Sequence, residues 1–446
     1  MAAIPLIHHD KPDSVLAYRG GHPVKVSQFL HDVAHLAQSL PDKSHILNLC
    51  TDRYLFAVGF AAALLRRQTS LLPPNYAPAL VERLREDYPG MYCLSDGEVA
   101  FKEVDVVHFP HPSKMDDVER AIPTIPAEQR AALVFTSGST GQPVPHPKSW
   151  GSLCKSAVAE GASLYIEQDS GMAVLGTVPA QHMYGLESSL LLALQNGLAL
   201  VAEKPFYPAD IRAQLAVLPR PRCLVTTPVH LRTLLADAAE VPAVDFVLCA
   251  TAPLAPQLAS EAEARFGAPL YEIYGFTEAG QIASRRTTHG AAWHLLAGIE
   301  LHQDERGNHV RGGSVEIEAP LSDLIERNPD GTFVLHGRAA DMVNIAGKRT
   351  SLASLNHHLN AIPGVQDGMF FMPDDQDGAM RRPQAFVVAP GLRGEDILGA
   401  LRHHVDAVFL PRPLYFVDAL PRNTTGKVTH ETIMQLMDAC SKKCAS

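Results

Sequence analysis

Between residues 130 and 280, short unbroken apolar runs alternate with stretches whose apolar positions recur every three or four residues. Gly171–Val178, Cys223–Thr227, Phe246–Ala250 and Leu270–Tyr274 have the length and composition of buried strands, whereas Leu186–Gln195, Val229–Ala239 and Gln257–Phe266 carry a helical period. In the last of these Leu258, Ala262 and Phe266 share one face, Pro256 suits the first helical position and Gly267 the end. Strands and helices in strict alternation predict βαβ units and a mainly parallel sheet. The amino-terminal part continues the style, with a helix over Val26–Leu40, a strand over Ile46–Cys50 and a helix over Tyr54–Arg66 leading to Ser70-Leu71-Leu72.

After residue 285 the pattern changes. Gly298–Gln303 and Gly313–Glu318, on either side of Asp304–Asn308, predict an antiparallel hairpin in a small β-rich subdomain. From Asp341 onward the periodic segments are short, mixed and cut by Pro363-Gly364, Pro373 and Pro411, which predicts a small α+β domain. Charge shifts at the same place: residues 342–446 hold eleven Lys and Arg against ten Asp and Glu, a net of +1, although the whole chain carries −10. A large α/β domain over 1–341 and a small domain over 342–446 are therefore expected. A chain of 446 residues is long enough for two domains.

An apolar content of 46% with 19% charged residues is that of an ordinary globular protein. The negative balance argues against a nucleic-acid partner, which needs a basic face. Seven cysteines, at positions 50, 93, 154, 223, 249, 440 and 444, lack CxxC spacing and suit a reducing, cytoplasmic setting. Apolar runs stay below membrane-spanning length; the strongest, Leu190–Ala202, is broken by Gln195, Asn196 and Gly197. The pairs His8-His9, His357-His358 and His403-His404 have no metal-ligand spacing and read as surface.

The strongest chemical signal follows the apolar run Ala131–Val134. In Phe135-Thr136-Ser137-Gly138-Ser139-Thr140-Gly141 hydroxyl side chains alternate with glycines. Glycines let backbone N–H groups turn inward and hydroxyls add donors, so such a loop can wrap a polyphosphate. There is no GxxxxGK[ST] sequence. Four more segments follow in order: Pro179-Ala180-Gln181-His182-Met183-Tyr184-Gly185; Tyr274-Gly275-Phe276-Thr277-Glu278; Gly337-Arg338-Ala339-Ala340-Asp341 with Gly347-Lys348-Arg349; and Pro421-Arg422-Asn423-Thr424-Thr425-Gly426-Lys427-Val428.

Together these resemble the adenylate-forming superfamily: acyl-CoA synthetases, aryl-acid ligases, luciferases and peptide-synthetase adenylation domains. The resemblance implies that the chain joins a carboxylic acid to the α-phosphate of ATP with Mg²⁺, releases pyrophosphate and passes the acyl group to a thiol. Thr136, Ser137, Gly138, Ser139, Thr140 and Gly141 would then cradle phosphate. Lys427 would contact the carboxylate and α-phosphate from a small mobile domain, and Glu278 would bind Mg²⁺. Thr277 would hydrogen-bond the α-phosphate, and Tyr274, Gly275 and Ala252 would border the nucleotide. Asp323 would accept the ribose hydroxyls, although the preceding Thr-Gly of the family is Leu321-Ser322 here. Arg338 would assist at the nucleotide, and Asp341 would be the hinge. His182 would border the acyl carboxylate, and His182, Tyr184, Gly185, Ala250, Thr251, Tyr271, Ile273 and Gly280 would wall the acid pocket.

Two departures stand out. The family's phosphate loop continues Pro-Lys-Gly, but Pro143 is followed by Val144-Pro145-His146-Pro147-Lys148. Prolines at alternate positions predict an extended segment of about 3.1 Å per residue, so Lys148 can stand in for the missing lysine only if the chain folds back. Beyond Arg349 the usual Glu-Ile-Glu is Ser354-Leu355-Asn356. Amino-acid-activating relatives place an aspartate soon after the positions matching 179–182, and nothing acidic occurs here before Glu187, which favours a plain carboxylic acid. In general likeness the chain is most similar to the short AMP-ligases of aryl-polyene pigment clusters. That likeness implies a hydroxybenzoate-like aromatic acid and an acyl carrier protein, whose 4′-phosphopantetheine offers the same thiol as coenzyme A. A less acidic small domain suits an acidic carrier. A medium-chain acyl-CoA synthetase and an inactive nucleotide-binding module are the alternatives.

Overall fold

The computed structural model describes residues 2–9, 11–99, 104–110, 120–137, 143–305, 307–338, 342–345, 348–373, 382–422, 428 and 430–444. These form two compact units. One takes residues 1–250, 262–286 and 295–320, and the other residues 251–261, 287–294 and 321–446.

The first unit holds two largely parallel sheets, as the alternating pattern predicts. One runs Thr69–Leu72, His45–Asn48, Tyr92–Ser95 and Val106–His108, all parallel, with Arg130–Ser137 parallel on the other side of Thr69–Leu72 and Pro143–Ser149 antiparallel at the edge. The second runs Leu270–Phe276, Phe246–Cys249, Arg222–Thr226, Ala173–Gly176, Ala199–Val201 and Val15–Arg19 in parallel, with Gly280–Arg285 and His22–Lys25 antiparallel at its ends. Strands covered on both faces must be apolar throughout, and Phe246–Cys249 and Ala173–Gly176 are buried at every position. The helix Val26–Ser39 buries Val26, Phe29, Leu30, Val33, Leu36 and Ala37, one stripe of its surface. Arg53–Leu65 is buried nearly all round.

Two sequence expectations change. The hairpin forms between Ile299–Asp304 and Gly307–Gly312, and Val315–Pro320 adds a third strand to a meander. Gly312 and Gly313 make the second turn at φ +78° and +56°, and a Cβ on Gly312 would fall 2.5 Å from the carbonyl oxygen of Gly298. Only glycine fits that approach. The helix expected over Leu186–Gln195 is present, but Leu186–Leu191 is wound as a π-helix between short α-helical pieces. Such turns concentrate at functional sites.

The proline-rich segment is also resolved. Pro143–Ser149 returns antiparallel along Arg130–Ser137, pairing Pro143 with Ser137, Pro145 with Phe135 and Pro147 with Leu133. An edge strand leaves every second N–H unpaired, so prolines at alternate positions cost no ladder bond and protect the edge.

In the second unit Asp323–Arg327 pairs with Phe333–Arg338, which also takes residues 292–293. A hairpin of Met342–Ile345 and Lys348–Ser351 precedes the helix Leu352–Asn360. A sheet of Asp367–Phe371, Gln384–Val388 and Leu414–Phe416 buries Phe370, Ala385 and Val387 on one face with Leu355, Leu359 and Ile397. Phe371, Phe386 and Val388 face the other way, toward Ile433, Leu436 and Met437 of the helix His430–Cys444. The period of two serves both faces. No described helix is long and apolar enough to cross a membrane.

Candidate active site

In the first unit, neighbouring parallel strands release their candidate segments at their carboxyl ends, where open α/β sheets bind ligands. Ala173–Gly176 leads to Pro179–Gly185, Phe246–Cys249 to the buried Ala250, and Leu270–Phe276 to Thr277 and Glu278. Tyr184 reaches the end of Phe246–Cys249 and that of the intervening strand Arg222–Thr226, its hydroxyl donating to the carbonyl oxygens of Leu248 and Thr226, both at 3.1 Å. His182 precedes the first helical turn with extended backbone, and its carbonyl accepts from the Leu186 N–H at 2.8 Å. A Cβ on Gly185 would fall 1.9 Å from the carbonyl oxygen of Pro179, so this glycine lets the turn close on the preceding strand exit.

Tyr271 and Ile273 lie on Leu270–Phe276, Ile273 buried and Tyr271 half-buried. Gly275 and Gly280 face each other across the tight return to Gly280–Arg285. A Cβ on Gly275 would lie 2.3 Å from the Gly280 carbonyl oxygen, and Gly280 has φ +84°. The return leaves Glu278 exposed at its tip beside Thr277, with Tyr274 half-buried behind.

Lys148, buried at 5% exposure, donates its ammonium to the carbonyl oxygen of Glu278 at 2.8 Å. Two residues away on the same strand face, His146 Nε2 is 3.0 Å from Thr136 Oγ1 and 3.9 Å from Glu278 Oε1. Burial lowers the pKa of both groups, and the Glu278 carboxylate opposes this for each. The carboxylate of Glu278 is a hard oxygen ligand, and the described residues contain no group of three or more metal-ligating side chains. That donor set fits Mg²⁺, which takes one or two carboxylates and completes its shell from phosphate and water.

The second unit holds the remaining positions. Asp323 stands opposite Arg338 in the ladder. Thr251 adopts φ +83°, an uncommon conformation for a β-branched residue, with its buried Oγ1 lacking a partner among the described residues, and Ala252 follows half-buried. Lys427, Asp341, Gly138, Ser139, Thr140 and Gly141 lie outside the described residues, as do the side chains of Ser137 and Arg338. His357, His403 and His404 are exposed, as expected, and His358 is half-buried, the four lining one cavity of about 470 Å³, whereas His9, expected at the surface, is buried with its Nε2 3.1 Å from the carbonyl oxygen of Leu198.

Residues 35–313 match the pattern of the AMP-binding enzyme family. The chain belongs to this family. It is 29% identical to a 4-coumarate–CoA ligase of Rhodobacter capsulatus over 305 residues, 68% of this chain and 75% of that one. It is 23% identical to an oxalate–CoA ligase of Saccharomyces cerevisiae over 80% of this chain and 70% of that one. Among solved structures, the o-succinylbenzoate CoA synthetase of Bacillus subtilis in complex with its acyl-adenylate intermediate superposes with a TM-score of 0.80 at 18% identity, covering 95% of this chain and 96% of that one. The fold is that of the adenylate-forming ligases.

Within this AMP-binding enzyme, sequence reasoning missed what braces the strand ends. Arg53 is fully buried, and its guanidinium donates to the carbonyl oxygens of Gly176, Val178, Val201 and Glu203 at 2.7–3.1 Å, gathering two strand exits. Burial brings its pKa down to about 10. Behind the π-helix, Ser156 donates to Glu187 at 2.6 Å, Ser188 to Glu160 at 2.5 Å, and Gln281 to Ser188 at 2.7 Å. Burial raises Glu187 to about 7 and Glu160 to about 8. For Arg53 and Glu187 the signal was available, since each is the one charged residue of its helical segment and must find buried partners, whereas the helix of Glu160 also carries the exposed Lys155.

Proposed function

We propose that this ligase activates an aromatic, hydroxybenzoate-like carboxylic acid and hands it to the phosphopantetheine thiol of an acyl carrier protein or to coenzyme A. The observation that carries the reading is the convergence of His182, Tyr184, Ala250, Ile273 and Thr277 at adjacent strand ends, with the exposed Glu278 beside them. Tyr184, Tyr271 and Ile273 offer flat and branched walls for such an acid.

In the first half-reaction a carboxylate oxygen attacks the α-phosphorus and pyrophosphate leaves. Thr277 donates to the α-phosphate, His182 orients the carboxylate, and Lys427 supplies the charge that lets two anions meet. Glu278 would hold Mg²⁺, which would supply positive charge against the phosphates. In the second half-reaction the thiol sulfur attacks the acyl carbonyl, its proton goes to solvent and AMP leaves. A swing of residues 342–446 about Asp341 separates the two steps, and Tyr274, Gly275, Ala252, Asp323 and Arg338 keep the nucleotide in place.

The test is pyrophosphate release with ATP, Mg²⁺ and a panel of aromatic and aliphatic acids, followed by mass analysis of thioesters on coenzyme A and on a phosphopantetheinylated carrier protein. Release confined to aromatic acids is expected. Release with medium-chain acids would point to a general acyl-CoA synthetase, and ATP binding with no pyrophosphate release for any acid to a nucleotide-binding module without ligase activity.

A further inference from the structure

The phosphate loop lacks its lysine at position 144, yet the strand that follows carries two nitrogen bases on one face. Val144, His146 and Lys148 alternate along Pro143–Ser149, and their burial deepens from Val144, 44% exposed, to Lys148 at 5%. His146 bonds to the hydroxyl of Thr136, the one phosphate-loop side chain described in the structure, and the same nitrogen faces the Glu278 carboxylate. Lys148 holds the Glu278 backbone from beneath. Rather than running outward, the segment returns antiparallel along Arg130–Ser137, which sets His146 opposite Val134, diagonal to Thr136, and Lys148 opposite Ala132.

We propose that His146 and Lys148 together replace the absent phosphate-loop lysine. His146 is the group that meets the β- and γ-phosphates beside Thr136, and Lys148 is a positioning residue that acts through Glu278. Lys148 cannot serve as a mobile phosphate ligand, because its ammonium is committed to the Glu278 carbonyl and sits among the carboxylates of Glu187, Glu316 and Glu278. Its ammonium holds the Glu278 backbone and offsets the negative charge gathered there, so its loss reaches the triphosphate through Glu278. The inference rests on the adenylation reading above and assigns a division of labour within the triphosphate side of that site.

The experiment measures equilibrium binding of ATP and of AMP, each with Mg²⁺ and without acid, by titration calorimetry on the full chain, wild type against His146→Ala and Lys148→Met. Only ATP carries the β- and γ-phosphates. Each variant should weaken ATP about tenfold, as the loss of one charge-assisted contact predicts, and leave AMP within about twofold, a split that general loosening of the fold would not produce. Should Lys148→Met fail to fold, His146→Ala, whose side chain is 18% exposed, carries the test alone. ATP binding at wild-type strength in the folded variants, or equal losses for ATP and AMP, would overturn the proposal. Failure of the wild type to bind ATP at all would instead remove the adenylation reading.

Discussion

Two places in this molecule collect imidazole and ammonium groups, and they differ in what surrounds them. Along Pro143–Ser149, His146 and Lys148 each have a defined hydrogen-bond partner, Thr136 or Glu278, within 3.0 Å. In the second unit, His357, His358, His403 and His404 line a cavity. His358 stacks on His404 at 5.4 Å between centroids and meets His357 edge-on at 5.5 Å. The four-histidine cluster is richer in titratable groups and poorer in chemistry. Partners convert a basic side chain into a functional one; abundance does not.

The variant that bears hardest on this contrast lies in the second unit but outside its histidines. If the cationic chemistry of residues 342–446 resides in Lys427, then Lys427→Ala should cut acid-dependent pyrophosphate release by on the order of 10³-fold, the scale for removing one preorganised charge from a transition state. Release within tenfold of wild type would transfer that role elsewhere and break the comparison.

Next in size is Arg53→Met, which tests whether the first unit's strand exits depend on one buried cation. Four carbonyl groups would lose their donor, so a destabilisation of about 3–5 kcal/mol is expected from denaturant titration. A loss below about 1 kcal/mol would mean that the exits hold themselves.

A smaller effect comes from Glu160. Its Oε2 and the Oε1 of Gln281 are both buried without partners among the described residues, as a carboxyl group that keeps its proton would resolve. Its folded pKa, about 8, lies above the unsupported value of 4.5. The folded state therefore binds more protons than the unfolded chain between those values, and the stability this confers is lost as pH rises from 4.5 through 8. Between pH 6 and 9 the wild type should lose melting temperature more steeply than Glu160→Gln, and parallel curves would show the group ionised throughout.

Much of this was legible in the chain. Short apolar runs gave the parallel strands because both faces are covered, and the order of five motifs located Thr277, Glu278 and His182 at strand exits before any geometry was known. The direction of the segment after Pro143 was not legible. Alternate prolines specify extension but not whether the chain continues outward or pairs backward, since that depends on the long-range ladder with Arg130–Ser137. The π-wound turn escaped for a similar reason. Its i→i+5 bonds leave the apolar pattern of 186–195 helical, while tertiary contacts turn Glu187 and Ser188 inward. The meander at 299–320 was misread because two glycine turns competed for one hairpin.

The smallest effect belongs to the histidine cluster. Burial depresses the pKa of His358 below its ordinary 6.5, and His357 and His404 depress it further. The folded state therefore binds fewer protons than the unfolded chain around that value. The neutral cluster's contribution is present above 6.5 and lost as pH falls through the folded value. Among the described residues the facing groups come from Leu352–Asn360, from the turn after Gly394–Leu401 and from Gln257, and none of these is a carboxylate that would reverse the sign. His358→Ala with His404→Ala should shift stability at pH 8 by no more than about 1 kcal/mol, the scale of a lost ring pair. The double variant should also flatten the decline between pH 7 and 5 and leave ATP affinity and pyrophosphate release within twofold of wild type. A tenfold loss of ATP affinity would give the cluster a phosphate role and erase the distinction between bases that have partners and bases that merely meet.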